Sequence, residues 1–483
     1  MKKITELTFN NTYRQLPDEF YHIVNPKPFE NPFLICINPE MVAEIELEIL
    51  GFNEIELAQY LSGKKLIPGC DPIALYYTGH QFGIYNPHIG DGRAILLGEV
   101  VNSGGDKWGL HLKGAGTTNY SRGFDGRAVL RSTIREYLCS EAMHHLGIPT
   151  TRALSIVGSD EKVVRETTET GAMLIRMAKS HVRFGSFEGF YFRGLEENIK
   201  ILTDYVIENN YPDFINKDGK YKLLANETAK RTGTLIAKWQ AFGFTHGVMN
   251  TDNMSIIGDT IDYGPYGFME TFKNDYAPNH SDHFGRYSYK NQPSIAFWNL
   301  NKHFQALSCL LTNEDIQEAL GEFREAYAEN YLSLMTGKFG FKSFADGDKK
   351  FIDDTLELLE ENEIDFPIFF RELSNVTLDA DVNTSLVNKT GTDWLERYKA
   401  RLRSENSDDL KRKESMNLVN PKYILRTYIA EQAIHEAVEN GNYSEIENVR
   451  KLLMRPFDEQ PENEKYANEP PEWAKGIALC CSS

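Results

Sequence analysis

The sequence predicts an α+β protein in two lobes, with a mixed, strand-rich N-terminal lobe, a mainly helical C-terminal lobe and extra segments at both ends. Three observations predict it. Between residues 91 and 177, short strand-like runs set off by glycine turns enclose one stretch of helical periodicity. Beyond Phe192 the apolar spacing turns helical and stays so to about Arg455. At 483 residues the chain also exceeds what one small core organises, given ~100 to 200 residues per domain. The divisions that follow are an N-terminal extension over 1–80, the strand-rich lobe over 81–190, the helical lobe over 191–455 and a tail over 456–483.

The first 80 residues mix proline-punctuated loops (Pro17, Pro26, Pro28, Pro32) with a helical stretch over 39–50. Residues 93–101 read as a strand, 102–106 as a turn rich in Asn, Ser and Gly, and 108–113 as the antiparallel partner. A glycine-rich loop over 114–126 follows. Thr133 to Glu136 has the spacing of a capping box, and Ile134, Leu138, Ala142 and Leu146 recur at helical spacing until Gly147 and Pro149 stop the run. Residues 154–157, 162–166 and 172–177 read as three further strands. In the helical lobe, Asn226 is placed to cap a helix burying Ala229, Leu235, Ile236, Trp239 and Phe242. Residues 254–257 and 260–262, joined by Gly258 and Asp259, read as a tight hairpin with polar clusters at one end. Residues 293–455 read as helical, Ser444 to Glu447 as another capping box, and 458–471 as a loop or tail.

Composition narrows the function. With 41% hydrophobic and 25% charged residues the chain has the make-up of a soluble globular protein. A formal net charge of -18 repels nucleic acid, whose non-specific affinity comes from phosphate neutralisation by Lys and Arg. The opening residues lack a leader's apolar core, and no run approaches the ~18 apolar residues of a membrane span. The expectations are a cytoplasmic location and neither a membrane nor a nucleic-acid partner. Six cysteines, at 36, 70, 139, 309, 480 and 481, form neither a disulfide framework nor a zinc pattern. The first four read as plain buried thiols. Cys480 and Cys481, near the end of the chain, read as exposed and reactive, or as an incidental tail.

Several features are individually weak but occur in a telling order: the Gly-x-Gly turn Gly90 and Gly92, the strand Lys113, the helical Glu136, the run His246, Gly247 and Asn253, then Asp262, Tyr263 and Gly264. This is the order of a protein kinase's ATP machinery. A triphosphate needs a fixed cation, a bound metal and close backbone approach. Lys113 supplies the cation and Glu136 can hold it extended through an ion pair. Asn253 and Asp262 offer hard oxygen ligands of the kind Mg²⁺ takes. One departure is informative: a kinase loop carries its catalytic Asp five residues before the metal Asn, and that position here is Val248. Asp252, beside Asn253, is the nearest carboxylate and the candidate base, with a loop-capping role as the alternative.

The runs 77–83 (Tyr-Thr-Gly-His-Gln-Phe-Gly), 88–93 (His-Ile-Gly-Asp-Gly-Arg), 112–116 (Leu-Lys-Gly-Ala-Gly), 124–128 (Phe-Asp-Gly-Arg-Ala), 246–254 (His-Gly-Val-Met-Asn-Thr-Asp-Asn-Met) and 262–265 (Asp-Tyr-Gly-Pro) closely resemble the selenoprotein O (SelO/YdiU) family. Family-like segments at 280–287, 420–423 and the terminal Cys-Ser-Ser spread the resemblance over nearly the whole chain. It implies a protein-kinase-like fold that binds ATP in a flipped orientation, so that AMP is transferred to protein hydroxyls on Ser, Thr or Tyr and pyrophosphate leaves. It assigns nucleotide contacts to Gly90, Gly92, Arg93, Lys113, Asp125, Gly126, Arg176, Arg183 and Asp262, metal ligation (Mg²⁺, or Mn²⁺) to Asn253 and Asp262, and proton acceptance to Asp252. Arg176 and Arg183 suit the buried end of a flipped triphosphate, where forked guanidiniums neutralise charge. Protein substrates and self-modification are the partners implied.

Cys481 stands third from the end, where some members of the family carry selenocysteine, which suggests a redox role by analogy and a link to oxidative stress. A family-style bridge needs a thiol near the segment after Asp262, and residues 263–285 contain none. A Cys480–Cys481 pair, a mixed disulfide or no redox role remain. Against adenylyl transfer stand a kinase using the same residues on γ-phosphate, which Val248 disfavours, a uridylyl-transferring variant with Mn²⁺, and an inactive pseudokinase scaffold, which retention of both metal ligands disfavours.

Overall fold

A largely apolar run over 94–101 and its partner over 107–113 are strands buried on both faces along most of their length, and they form the centre of the N-terminal lobe in a computed structural model that describes residues 1–379 and 384–479. Its twelve strands are β1 (Tyr21–Ile23), β2 (Phe33–Ile37), β3 (Ile73–Leu75), β4 (Gly79–Gln81), β5 (Ile84–Asn86), β6 (Ala94–Val101), β7 (Lys107–Lys113), β8 (Ala128–Val129), β9 (Arg152–Val164), β10 (Thr168–Ala178), β11 (Phe244–Thr245) and β12 (Gly267–Phe268). An eight-stranded sheet runs β1-β3-β6-β7-β10-β9-β2, with β8 also on β10. Strands from the first 80 residues thus sit at both ends of that order. The pairs β4–β5 and β11–β12 are separate ribbons.

Fifteen helices are described. In the N-terminal half they are α1 (Pro39–Glu44), α2 (Glu54–Leu61), α3 (Leu130–His145), α4 (Phe184–Phe192), α5 (Glu196–Asn210) and α6 (Lys220–Ala241). The rest are α7 (Gln292–Ala306), α8 (Asn313–Lys338), α9 (Asp348–Glu361), α10 (Phe366–Leu373), α11 (Thr384–Thr390), α12 (Thr392–Ser404), α13 (Asp409–Asn417), α14 (Thr427–Glu439) and α15 (Ser444–Leu453). One face of the sheet (Ile95, Leu97, Leu110, Leu112) packs with α1 and α2. The other (Leu96, Leu174, Ile156) shares a core with α3 and the helical lobe. A third, phenylalanine-rich core lies among α8 to α13. Helix α3 rests on β9 and β10 and also touches α14 and α15, which ties both lobes to one rod. A mixed α/β sheet lobe joined to a helical part agrees with the α+β reading.

Several local readings are corrected. The strands at 154–157 and 162–166 are one 13-residue strand, β9: Gly158 breaks the pattern only because a Cβ there would meet Ile35 and Phe33 of β2 at 2.6 and 2.8 Å. Helix α6 starts at Lys220, six residues before the expected cap, and Asn226 instead reaches Glu318 on α8 at 3.0 Å. Thr133 lies inside α3, which begins at Leu130, so its hydroxyl bonds the carbonyl of Leu130 rather than capping. Ser444 is the first residue of α15 and bonds Asn442. The helix expected over 39–50 stops at Glu44, and the tail over 458–471 contains a 3₁₀ turn, Pro461–Ala467, that buries Tyr466. Residues 254–262 do not pair with each other. Ser255 bridges Arg183 and Thr260 bridges Thr150, so each arm satisfies its backbone against the N-terminal lobe. Of the four described cysteines, Cys139 is buried, Cys36 and Cys70 are half-buried and Cys309 is exposed.

Candidate functional site

Antiparallel pairing sets Lys113 opposite Leu174 and Arg176 opposite His111, and the two-residue period of a strand puts Lys113 and Arg176 on one face. That face looks at α3, whose Glu136 receives both cations: Lys113 Nζ on Oε2, and Arg176 Nε on Oε1 at 2.7 Å. Burial alone would raise the Glu136 carboxyl, but Arg176 and Lys113 hold it below its ordinary range. Arg176 continues to Asp262, with Nη1 2.6 Å from Oδ1, and Arg183 binds the other oxygen of Asp262. Arg183 Nη1 also donates to the backbone carbonyl of Asp252 at 2.8 Å. The 252–253 and 262 clusters therefore meet, although no hairpin joins them.

Asp262 has a positive φ of 57°, which an Asp tolerates better than most side chains. Burial would raise its carboxyl, but Arg176 and Arg183 hold it well below the usual range, so it stays ionised while its side chain is 27% exposed to the cleft. In this cluster three cations, Lys113, Arg176 and Arg183, face two carboxylates, Glu136 and Asp262. The unbalanced positive charge suits a polyanion.

Asp252 differs. It is buried, one carboxylate oxygen accepts only a long bond from Gln81 Nε2 at 3.4 Å, and the other has no partner. Desolvation, opposed by Arg183, pushes its carboxyl up to about 7. Asn253 donates Nδ2 to the carbonyl of Val248 at 2.9 Å, which turns the side chain by its nitrogen and leaves the amide oxygen for another ligand. The amide oxygen left open on Asn253 and the ionised, partly exposed carboxylate of Asp262 are hard-oxygen donors of the kind that fits a divalent cation. His246 organises the loop: it donates Nε2–H to the carbonyl of Ile261 at 2.8 Å, accepts from Val248 N–H on Nδ1, and stacks on Trp239.

The glycines have steric reasons. Gly90 has φ +67°, and a Cβ on it would stand 2.4 Å from the Tyr120 ring; one on Gly92 would stand 2.8 Å from the Tyr120 carbonyl. A Cβ on Gly126 would strike the Gly116 carbonyl at 2.1 Å. These glycines let the 114–126 loop fold closely over the start of β6. Two of the charged residues predicted to contact the nucleotide stand outside the ion-pair cluster. Arg93 is exposed, and Asp125 is exposed at the loop's far side, forked onto Arg165 at 2.8 and 2.9 Å. Cys480 and Cys481 lie outside the described residues. Leu479, just before them, accepts from His280 N–H at 2.9 Å, so the tail reaches the segment that follows Asp262.

Sequence reading gave no role to the residues around Asp252. Gln81 touches its carboxylate, Tyr77 lies under Arg183 with the guanidinium 4.4 Å from the ring centre, and Asp91 forms a buried pair at 2.9 Å with His111 of β7. Asn250 and Tyr287 bond each other at 2.7 Å next to the same loop. The run 77–83 held this signal, but only its fold shows that β4 lies against the 250–253 loop.

A family model described as "Protein adenylyltransferase SelO" matches residues 3–454. The chain belongs to the SelO family. Curated proteins named "Protein nucleotidyltransferase YdiU" agree over the full length of both chains: the one from Thiobacillus denitrificans is 48% identical, that from Thioalkalivibrio sulfidiphilus 47% and that from Myxococcus xanthus 45%. Membership of the SelO family makes this chain a transferase of the nucleotidyltransferase class. Among the described residues no helix is long and apolar enough to cross a membrane.

Proposed function

We propose that this SelO-family chain transfers AMP from ATP to the hydroxyl groups of proteins, itself included, with Mg²⁺ or Mn²⁺ as the metal, on the two-lobed plan of the protein kinases. One observation carries the reading: the Lys113, Arg176 and Arg183 cations gather on Glu136 and Asp262, in a cleft where Asp252 stands buried with a free oxygen. A kinase cleft has the lysine–glutamate pair alone, and the two additional guanidiniums suit the buried end of a triphosphate whose α-phosphate faces outward to the acceptor.

Lys113, with Arg176 and Arg183, binds and neutralises the phosphates; Gly90, Gly92, Arg93, Asp125 and Gly126 border the nucleotide. Asn253 and Asp262 would hold the metal, which when bound supplies charge neutralisation at the phosphates. The acceptor hydroxyl gives its proton to the Asp252 carboxylate as its oxygen bonds the α-phosphorus. The bond from the α-phosphorus to the bridging oxygen breaks and pyrophosphate leaves. A carboxylate near pH 7 in acidity suits that role. Cytoplasmic action and a redox or stress setting belong to the same reading.

Incubation of the chain with Mg²⁺ and ATP labelled at either the α- or the γ-phosphate tests it. Label from the α position alone, retained on protein, is the expected result. Label from the γ position alone makes the chain a kinase. No label with ATP bound supports the inactive scaffold, and faster transfer from UTP with Mn²⁺ identifies the uridylyl variant.

A further inference from the structure

The ribbon of β4 and β5 turns through Phe82 and Gly83, with φ of +50° and +84°. Two-residue turns of this kind favour Asn-Gly, and a bulky aromatic residue at positive φ is strained. Such strain persists only where surrounding structure fixes it, and it points to a use. Here the fixing is elaborate. Phe82 N–H donates to Tyr287 Oη at 2.8 Å and to Asn250 Oδ1 at 3.3 Å, and the Asp282 carboxylate accepts the N–H groups of Arg286 and Tyr287 at 3.0 and 2.7 Å. His80 N–H donates to Thr251 at 2.7 Å. Above this polar structure the turn itself is apolar and open: Phe82 is 41% exposed and Ile84 75%, and Ile84 pairs in register with Gln81, which puts both on one face of the ribbon. Gln81, one residue before the strained turn, touches Asp252.

We propose that Phe82 and Ile84 form the docking platform for the acceptor protein. An extended acceptor segment lays an apolar side chain, next in sequence to its hydroxyl residue, on this turn, and the hydroxyl reaches Asp252 past Gln81. The inference rests on the reading of Asp252 as proton acceptor. It names the acceptor chemistry: a hydroxyl flanked by apolar rather than acidic residues. The rim of the turn carries Arg286, whose guanidinium stands against Gly83 and 4.9 Å from the Trp298 ring.

The test uses the full chain, Phe82→Asn, which keeps a residue tolerant of positive φ, and Ile84→Ser. The probes are two peptide sets with central Ser, Thr or Tyr, one flanked by Leu and Phe, the other by Glu. With α-labelled ATP, the unmodified chain is expected to favour the apolar set, and each substitution to raise KM for that set by roughly tenfold while KM for ATP stays in place. Fluorescence anisotropy of the labelled apolar peptide, without nucleotide, gives an independent reading, with Kd weakened by a similar factor. Weakened Kd without any transfer by the unmodified chain would keep the platform and sink the nucleotidyl reading. Equal KM or Kd for both sets, or values untouched by either substitution in a folded chain, would sink the platform.

Discussion

Lys113 and Lys338 are both buried lysines, and their surroundings are opposites. Lys113 closes β7 in the sheet lobe and meets Glu136, with Arg176 and Asp262 beyond it. Lys338 closes α8 in the helical lobe, 3% exposed, and looks at phenylalanine faces: its Nζ lies 4.3, 5.3 and 5.7 Å from the ring centres of Phe370, Phe366 and Phe242. Burial pulls both ammonium groups down in pKa; Glu136 opposes this for Lys113, while Lys338 falls to about 7. A buried charge is therefore no signature of a site. What marks the cleft is a set of charges that hold one another and still leave an excess for a ligand.

The largest effect that would break this contrast is at the anion shared by two arginines. Asp262→Ala is expected to reduce nucleotide transfer by more than ~10³-fold, because it removes a metal ligand and releases Arg176 and Arg183 from their common partner. Transfer near the unmodified rate in a folded Asp262→Ala chain would remove the metal assignment. Next comes Asp252→Ala, with a loss of about 10² to 10⁴-fold and ATP affinity retained. A loss below tenfold would reduce Asp252 to a positioning role. Lys113→Met should lower kcat/KM for ATP by roughly 10²-fold, since it deletes the phosphate cation but leaves Glu136 paired with Arg176. Unchanged kcat/KM would make Lys113 as structural as Lys338.

The cleft was more legible in the sequence than the scaffolding around it. Lys113, Glu136, Asn253 and Asp262 could be found because a strand, a helix and a loop each carry a residue type whose chemistry is narrow, in a fixed order. Their joining by Arg176 and Arg183 depends on β7–β10 register and on the bridge from Arg183 to Ser255, both long-range pairings that local periodicity does not encode. The same limit explains the expected hairpin over 254–262: its turn at Gly258 exists, but each arm found a stronger partner in the other lobe. Capping boxes at Thr133 and Ser444 failed for a different reason. Thr133 lies inside α3, where its hydroxyl bonds the preceding turn, and Ser444 is already the first helical residue of α15, its hydroxyl held by the Asn442 side chain before the helix. The contacts of Gln81 and Phe82 with the 250–253 loop were hidden because their glycine-flanked run has the look of an ordinary turn until β4 is seen lying on that loop.

The smallest predicted effect sharpens the contrast most, because one substitution applied at both lysines should act in opposite senses. Lys338→Met keeps the length of the stem and removes a charge with no carboxylate partner among the described residues, so it should leave nucleotide transfer unchanged and stabilise the chain by about 1 to 3 kcal/mol at pH 7. The gain is smaller than burial alone suggests because the three ring faces attract the ammonium by ~0.5 to 2 kcal/mol. Its pH dependence follows from linkage. Lys338 holds its proton below about pH 7 in the folded chain and below about 10.4 when unfolded, so between those values the unfolded chain binds more protons and the folded state gains stability as pH rises. The advantage of Lys338→Met should therefore be full at pH 7 and shrink by more than half at pH 9.5, read as the difference in urea midpoints times the slope. An advantage equal at both pH values would mean that Lys338 does not titrate between them, and a loss of stability at pH 7 would mean that the phenylalanine faces hold the ammonium more strongly than burial penalises it.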